Sequence, residues 1–373
     1  MTNTQDVRPF QIDIPQAQLD DLRERLDRTR WTEELADGGW DYGVPVARQK
    51  ELLDYWRSGY DWRAWESRLN SYPQFTTEID SQNIHFLHVK SPDPDALPLI
   101  LTHGWPCTSA EYLDVIEPLT HPTEGPSYHL VIPSLPGYGF SGPTKERGWH
   151  SRRIAAAWAE LMRRLGYSSY GVVGNDIGSQ VSVELGRLVP EQVVGVHVQQ
   201  IWSFPLSEAD RVGLSEQDLE YLEGHETFER VMGAYNMLQS QQPQTLAHAL
   251  ADSPAGLLAW KSQLQRALDA DFILTNVMIY WLTGTAGSAM RLYFEQTQLD
   301  AGPRPEPTTV PVGLAQFADD FHSMRRFSER DHKNIVSWHS YEQGGHWAAH
   351  EAPDVLVADI REFFRQLRAK MGS

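Results

Sequence analysis

The most constraining stretch of this 373-residue chain is YGVVGNDIGSQVSVELG, at positions 170–186. The short apolar run reads as a buried strand, and the residues after Gly178 read as the start of a helix. Gly174 and Gly178 flank Asn-Asp-Ile. Glycine supplies the room that a strained, closely packed turn needs. The segment therefore predicts a strand that runs into a helix through a sharp turn, with Asp176 at the tip.

The remaining text agrees with strands that alternate with helices. Apolar runs recur in LPLILTHG, YHLVIPS, YGVVG and EQVVGVHV, separated by helical segments or loops. That alternation predicts an α/β protein with a mainly parallel central sheet. FTTEIDSQNIHFLHV reads as two strands around a polar turn, the first hairpin of the sheet. Ahead of it, Leu19, Leu22 and Leu26 fall at helical spacing, and a Trp/Tyr-rich stretch follows to about Tyr72. From about 203 to 298 the alternation gives way to helical text, broken at Pro243, Pro254 and the Gly284/Gly287 pair. Strand-like runs return in TTVPVGLAQFA and NIVSWHSYEQGG, and DVLVADIREFFRQLRAK closes the chain as a helix. The expected division is an N-terminal extension at 1–72, a core in two parts at 73–202 and 301–373, and a helical cap at 203–300.

Charge and cysteine content exclude several function classes. A formal net charge of −18 argues against a nucleic-acid surface, which needs a basic face. Cys107 is the single cysteine, which excludes an intramolecular disulfide and any zinc site of several thiolates. A reducing cytoplasm is the expected compartment. No apolar run is long enough to span a bilayer and no apolar signal follows Met1, so a soluble protein is expected. A homodimer is compatible with all of this.

A turn of the form small-x-nucleophile-x-small, between strand and helix, is the nucleophile elbow of α/β-hydrolases. Asp176 stands where esterases carry serine. A serine that displaced a leaving group from saturated carbon would leave an ether, which water does not readily cleave. A carboxylate leaves an ester, which activated water hydrolyses at its carbonyl. An aspartate elbow thus points to attack on an epoxide or an alkyl halide, although Asp and Gly also populate ordinary turns.

Three further features support the elbow. THGWP at 102–106 follows an apolar run where a strand is expected to end, the usual place of an oxyanion donor. The donors there would be the backbone N–H groups of Trp105 and Ile177, with His103 a structural histidine that holds the turn. EQGGHWAAH places His346 just past an expected strand, in the chain order of this fold, as a general base. The orienting acid is expected near the end of PVGLAQFADDFH, where Asp319 and Asp320 both qualify.

Two other patterns lead elsewhere. GYGFSG at 137–142 matches G-x-G-x-x-G, but Pro143 follows where a dinucleotide fingerprint opens a helix. A glycine loop at the carboxyl edge of the sheet is the better reading. His346 and His350 are four apart, yet the glutamate of the zinc pattern is missing and no third ligand stands out, so no metal is expected.

The chain resembles the epoxide hydrolases of the α/β-hydrolase superfamily, in the branch similar to the microsomal and fungal enzymes. The resemblance spans nearly the whole length: RPFQIDIPQAQLDDLRERL in the extension, THGWP, PGYGFSG, the cap and GGHWAAHE. Related haloalkane dehalogenases generally lack such an extension. Family members typically carry Gly-Gly-Asp-Trp-Gly at the elbow, so Asn175 and Ile177 depart from the pattern, and Cys107 stands where glycine is common. The resemblance implies two cap tyrosines that hydrogen-bond the epoxide oxygen. Motif context puts the first at Tyr235 and the second at Tyr293, with Tyr280 as the competitor. Family spacing to the histidine favours Asp320 over Asp319.

The implied reaction is hydrolysis of an organic epoxide to a vicinal diol through a covalent aspartyl ester, with no cofactor. Two rivals remain. A hydrolytic dehalogenase would use the same aspartate and histidine but needs N–H donors for a halide rather than a tyrosine pair. The other is a catalytically silent hydrolase fold that serves as a binding protein, against which the retained Asp176 and His346 argue. Trp105, Trp202, Trp281 and Trp347 are offered as apolar pocket walls, which suggests an aryl-bearing or bulky epoxide.

Overall fold

The computed structural model describes residues 6–371. Its strands, in chain order, are β1 (Arg8–Phe10), β2 (Gln74–Ile79), β3 (Gln82–Val89), β4 (Leu97–Thr102), β5 (Tyr128–Pro133), β6 (Tyr170–Gly174), β7 (Val193–Val198), β8 (Val312–Asp319) and β9 (Ile335–Gly345). Among the described residues they form one sheet in the order β1-β2-β3-β5-β4-β6-β7-β8-β9. β2 and β3 are the expected hairpin, with Asp80 and Ser81 at positive φ in its turn. From β5 across to β9 every pairing is parallel. Every residue of β5 and β6 is buried, which accounts for their unbroken apolar runs: helices cover both faces of the sheet. The carboxyl ends of β4, β6, β7 and β8 lie along one edge, where an open parallel sheet binds ligands.

The extension reaches further into the sheet than its sequence suggests. Arg8–Phe10 pairs antiparallel with β2, in the register Arg8↔Thr76. Three residues containing a proline give no periodicity to read, and an edge position tolerates the missing N–H. The helices Gln16–Asp27, Val46–Ser58 and Trp62–Asn70 follow. Leu22 and Leu26 of the first are buried and Leu19 packs partly against the core. The extension also bonds the cap: Gln49 Nε2 donates to the Ala255 carbonyl at 2.8 Å, and the Tyr60 and Thr275 hydroxyls lie 3.1 Å apart.

The cap holds the helices Glu216–Met232, Ala234–Gln241, Pro243–Asp252, Pro254–Ser262, Ala270–Thr283 and Ala286–Asp300. Pro243 and Pro254 each occupy the first position of a helix, where the lost N–H had no intrahelical partner. Gly284, at φ 63°, ends Ala270–Thr283 in a left-handed cap. Gly287 is not a break as expected: it lies inside the next helix, facing Ala247, where an added Cβ would come within 2.8 Å of the alanine methyl. Past the cap, β8 opens at Val312. Thr308, in the TTVP text read as strand, makes only an isolated bridge to His332.

Candidate active site

β6 enters the helix Ile177–Leu188 through Asp176, whose φ of 55° and ψ of −124° are rare for a residue with a side chain. Such backbone strain costs on the order of 1–3 kcal/mol and persists only where the surroundings over-determine it. Here a Cβ on Gly178 would lie 1.8 Å from the Thr102 carbonyl oxygen, and one on Gly174 would lie 2.2 Å from that of Gly178. The glycines are thus there for close approach. The Asp176 N–H is held by Gln200 Oε1 at 2.8 Å, and the Asp176 carbonyl accepts from Ser179 N–H at 2.9 Å.

THGWP passes beside the tip. Trp105 N–H donates to Asp176 Oδ1 at 2.9 Å, and a Cβ on Gly104 would fall 2.1 Å from that same oxygen. Ile177 opens the helix beside Asp176, and first-turn N–H groups have no acceptor within their own helix. His103 is fully buried: its Nδ1 lies 3.0 Å from the Gly104 carbonyl and its Nε2 accepts from Leu135 N–H at 3.2 Å. Burial lowers its pKa to about 4, so it is neutral and ties two loops together, the structural role expected of it.

His346 faces two carboxylates. Its Nδ1 is 2.7 Å from Asp320 Oδ1 and its Nε2 is 3.6 Å from Asp176 Oδ2. Asp319 is the last, exposed residue of β8, so of the two candidates only Asp320 turns to the histidine. Burial opposes a charge on His346, but Asp320 and Asp176 outweigh it and hold the imidazole well above its ordinary range. His350 does not share a site with it. That ring bridges Asp114 Oδ2 at 2.9 Å and Asp269 Oδ2 at 2.6 Å, and stacks on Phe272.

The cap brings Tyr235 and Tyr293 over the same region. The Trp105 ring stacks on Tyr235 at 5.0 Å and meets the edge of Tyr293 at 6.1 Å, while the two phenol rings lie 6.2 Å apart. Burial raises both phenols above their ordinary range, and the charge of Asp176 adds to the shift. Tyr280 is placed differently. Its hydroxyl donates to the Cys107 carbonyl at 2.8 Å, and Lys261 Nζ sits 3.1 Å from the centre of its ring.

The tryptophans divide. Trp105 and Trp347 are at the site, the latter 4.9 Å from the His346 ring, and Trp202 stacks on Phe321 just beyond Asp320. Trp281 is a correction to the expected set. Its ring faces the extension, under the Arg25 guanidinium at 5.7 Å.

Sequence reasoning missed the polar layer beneath the elbow. Asn175, Gln200 and Glu111 are buried there. Asn175 Nδ2 donates to Glu111 Oε1 at 2.7 Å and to the His346 carbonyl at 2.8 Å. Burial pushes the Glu111 carboxyl up to about 8. The departure of Asn175 from the family pattern was the available signal; nothing local marked the other two.

Comparison with known proteins bears on this arrangement. Residues 7–112 match the family described as epoxide hydrolase N terminus, and 98–219 match the α/β hydrolase fold family. Epoxide hydrolase 1 of Sus scrofa is 32% identical over 96% of this chain and 88% of its own length. The chain belongs to the epoxide hydrolase family. A Stigmatella aurantiaca protein described as a candidate epoxide hydrolase is 39% identical over 98% of this chain and 86% of its own. The Aspergillus niger epoxide hydrolase structure superposes with a TM-score of 0.85 at 32% identity, covering 97% of each chain. Juvenile hormone epoxide hydrolase of Bombyx mori reaches 0.89 at 26% identity, over 99% of this chain and 96% of that one. The fold class and the reaction class read from the sequence, epoxide hydrolysis by an α/β-hydrolase, are those of this epoxide hydrolase family. No helix among the described residues is long and apolar enough to cross a membrane.

Proposed function

We propose that the chain hydrolyses an organic epoxide to a vicinal diol in two half-reactions, with Asp176 as nucleophile. The observation that carries this reading is the setting of the Asp176 carboxylate. Oδ1 is taken by Trp105 N–H at 2.9 Å, while Oδ2 faces His346 across 3.6 Å and is left free to attack. In the first half-reaction Oδ2 displaces the epoxide oxygen from a ring carbon, giving an aspartyl ester, and Tyr235 or Tyr293 donates a proton to the leaving oxygen. Both phenols are kept protonated by burial beside a carboxylate, as a proton donor requires.

In the second half-reaction His346 takes a proton from water, which attacks the acyl carbon. The charge collects on Oδ1, where the N–H groups of Trp105 and Ile177 serve as oxyanion donors. Collapse breaks the acyl carbon–Oδ2 bond, the diol leaves with Oδ2, and the proton on His346 returns to it. The second proton of the water, left on the Asp176 carboxyl, passes to the tyrosinate and restores both groups. Asp320 holds the imidazole through Nδ1 and balances its positive charge. Loss of the Asp176 charge on alkylation also explains how a histidine held well above its ordinary range becomes a base. The ester is neutral, so one of the two carboxylates that raise His346 disappears just when a neutral imidazole is needed. The mechanism uses no metal or organic cofactor.

The aromatic walls, Trp105, Tyr235, Tyr293 and Trp347, favour an aryl-bearing or bulky epoxide. A cytoplasmic location is supported by the single, buried thiol of Cys107. Styrene oxide offered to His346→Gln enzyme is expected to leave one substrate mass on the peptide that contains Asp176. An unmodified peptide, in a variant that still forms no diol, would sink the covalent route.

A further inference from the structure

Gln200 lies in the loop after β7, fully buried, directly beneath the elbow. Its carboxamide is engaged at both ends. Oε1 accepts the Asp176 N–H at 2.8 Å and lies 3.1 Å from Ser179 Oγ, which is also 3.0 Å from the Gly174 carbonyl. Nε2 donates to Asp320 Oδ2 at 2.5 Å and to Asn175 Oδ1 at 2.8 Å. A primary amide has two donor hydrogens and an oxygen with two lone pairs, so its donors are fully used. The orientation is fixed by chemistry as well. A backbone N–H only donates and a carboxylate only accepts, so the flipped amide would set N–H against N–H and oxygen against oxygen.

We propose that Gln200 is a positioning residue which sets the nucleophile's turn and the orienting acid with one side chain; this rests on the roles assigned above to Asp176, His346 and Asp320. Asp320 gives Oδ1 to His346 and Oδ2 to Gln200, so both oxygens of the acid are pinned. The imidazole that Asp320 aims is thereby referenced to the same amide that holds the strained backbone of Asp176. Asn175 closes the circuit, since its oxygen accepts from Gln200 and its amino group holds the His346 carbonyl. Nucleophile, base and acid come from three loops after β6, β9 and β8, and Gln200 bonds two of them directly. Its main kinetic weight falls on ester hydrolysis, the step in which His346 must point correctly at water.

Two variants separate this role from mere packing. Gln200→Glu keeps the shape but sets a second carboxyl oxygen against Asp320 Oδ2. With both carboxyls ionised the pair carries an extra negative charge, which favours imidazolium. The groups that raise His346 are Asp320 and Asp176, and Glu111 and Glu351 also couple to it, so the added charge joins an acidic set. The pH midpoint for hydrolysis of the Asp176 ester is expected to rise by about one unit. Gln200→Met removes the hydrogen bonds at similar length and is expected to slow ester hydrolysis about tenfold, with alkylation affected less. Both half-reactions are read in single-turnover quench experiments with styrene oxide, by intact mass and diol release across pH. An unmoved midpoint in Gln200→Glu, or equal slowing of both steps in Gln200→Met, overturns the proposal. So does a failure of both variants to fold, which would make the residue structural only. If the wild-type enzyme forms no Asp176 ester, the underlying mechanism falls and this proposal falls with it.

Discussion

The Trp105 indole lies flat on the Tyr235 ring, with centroids 5.0 Å apart and planes 10° from parallel. One residue of the core thus meets Asp176 through its backbone N–H and seats a cap phenol through its ring. In the proposed mechanism the proton donor of ring opening and the donor to the tetrahedral charge therefore share one support. Stacking of this kind adds roughly 0.5–1.5 kcal/mol beyond the area buried.

Tyr235→Phe and Tyr293→Phe keep the rings and remove the hydroxyls. Each is expected to slow alkylation by about a hundredfold, in the usual range for a lost general acid, and to leave ester hydrolysis nearly unchanged. Only the first half-reaction builds charge on the epoxide oxygen. Tyr280→Phe, which loses a bond to the Cys107 carbonyl, is expected to spare both rates. Rapid-quench measurement of the two steps decides it: an alkylation defect in Tyr280→Phe with none in Tyr293→Phe would reverse the assignment.

The route of oxygen is a separate check on Asp176. Oδ2 leaves with the product in the proposed mechanism, and solvent oxygen takes its place on the carboxylate. In a single turnover in ¹⁸O-water the first diol should be unlabelled and a peptide containing Asp176 should gain label. Label in the first diol would mean direct attack by water.

Protonation of His346 should follow the charge of Asp176. The imidazole is held above its ordinary range by Asp320 and Asp176 against the effect of burial. Asp176→Asn removes one of those charges, so the midpoint is expected to fall. Nitrogen NMR of the histidine ring reads this directly, and an unchanged or higher midpoint would contradict the coupling.

His350 predicts a pH-dependent clamp between core and cap. It bridges Asp114 of the core and Asp269 of the cap, while Arg68 of the extension also holds Asp114. Burial works against its charge, but the two aspartates raise its pKa above the ordinary value of 6.5. A raised folded-state pKa contributes stability that is fully present below the unfolded value and is lost as pH rises through the folded one. Both aspartates are shifted down, so their own contribution holds above the usual carboxylate range and fades in acid. Asp269 is half exposed, and solvent screening limits the clamp to about 1 kcal/mol. Thermal melts of wild type and His350→Leu should differ most between about pH 5 and 6 and converge in alkali. A gap that widened with rising pH would refute the clamp.

Local pattern was enough for the parts of this protein whose geometry is local. Gly174 and Gly178 announce a turn that only close packing explains, and the Gly-Gly before His346 announces another, with Gly344 at φ 85°. Buried parallel strands must be apolar throughout, so the sheet and the interruption by the cap could be read as well. Tertiary structure decided what depends on residues far apart in the chain. Asp319 and Asp320 are indistinguishable by alternation, because the pairing of β8 with β9 shifts register between Phe317 and Asp319, where the period of two no longer tells one face from the other. Tyr280 and Tyr293 both sit in apolar helical text, and only the packing of the cap sends one hydroxyl to the Cys107 carbonyl and sets the other ring beside Trp105. Gln200 had no signature at all. A buried amide acquires its role from partners 24 residues back and 120 residues on, and that proximity exists only once the sheet has brought its loops to one edge.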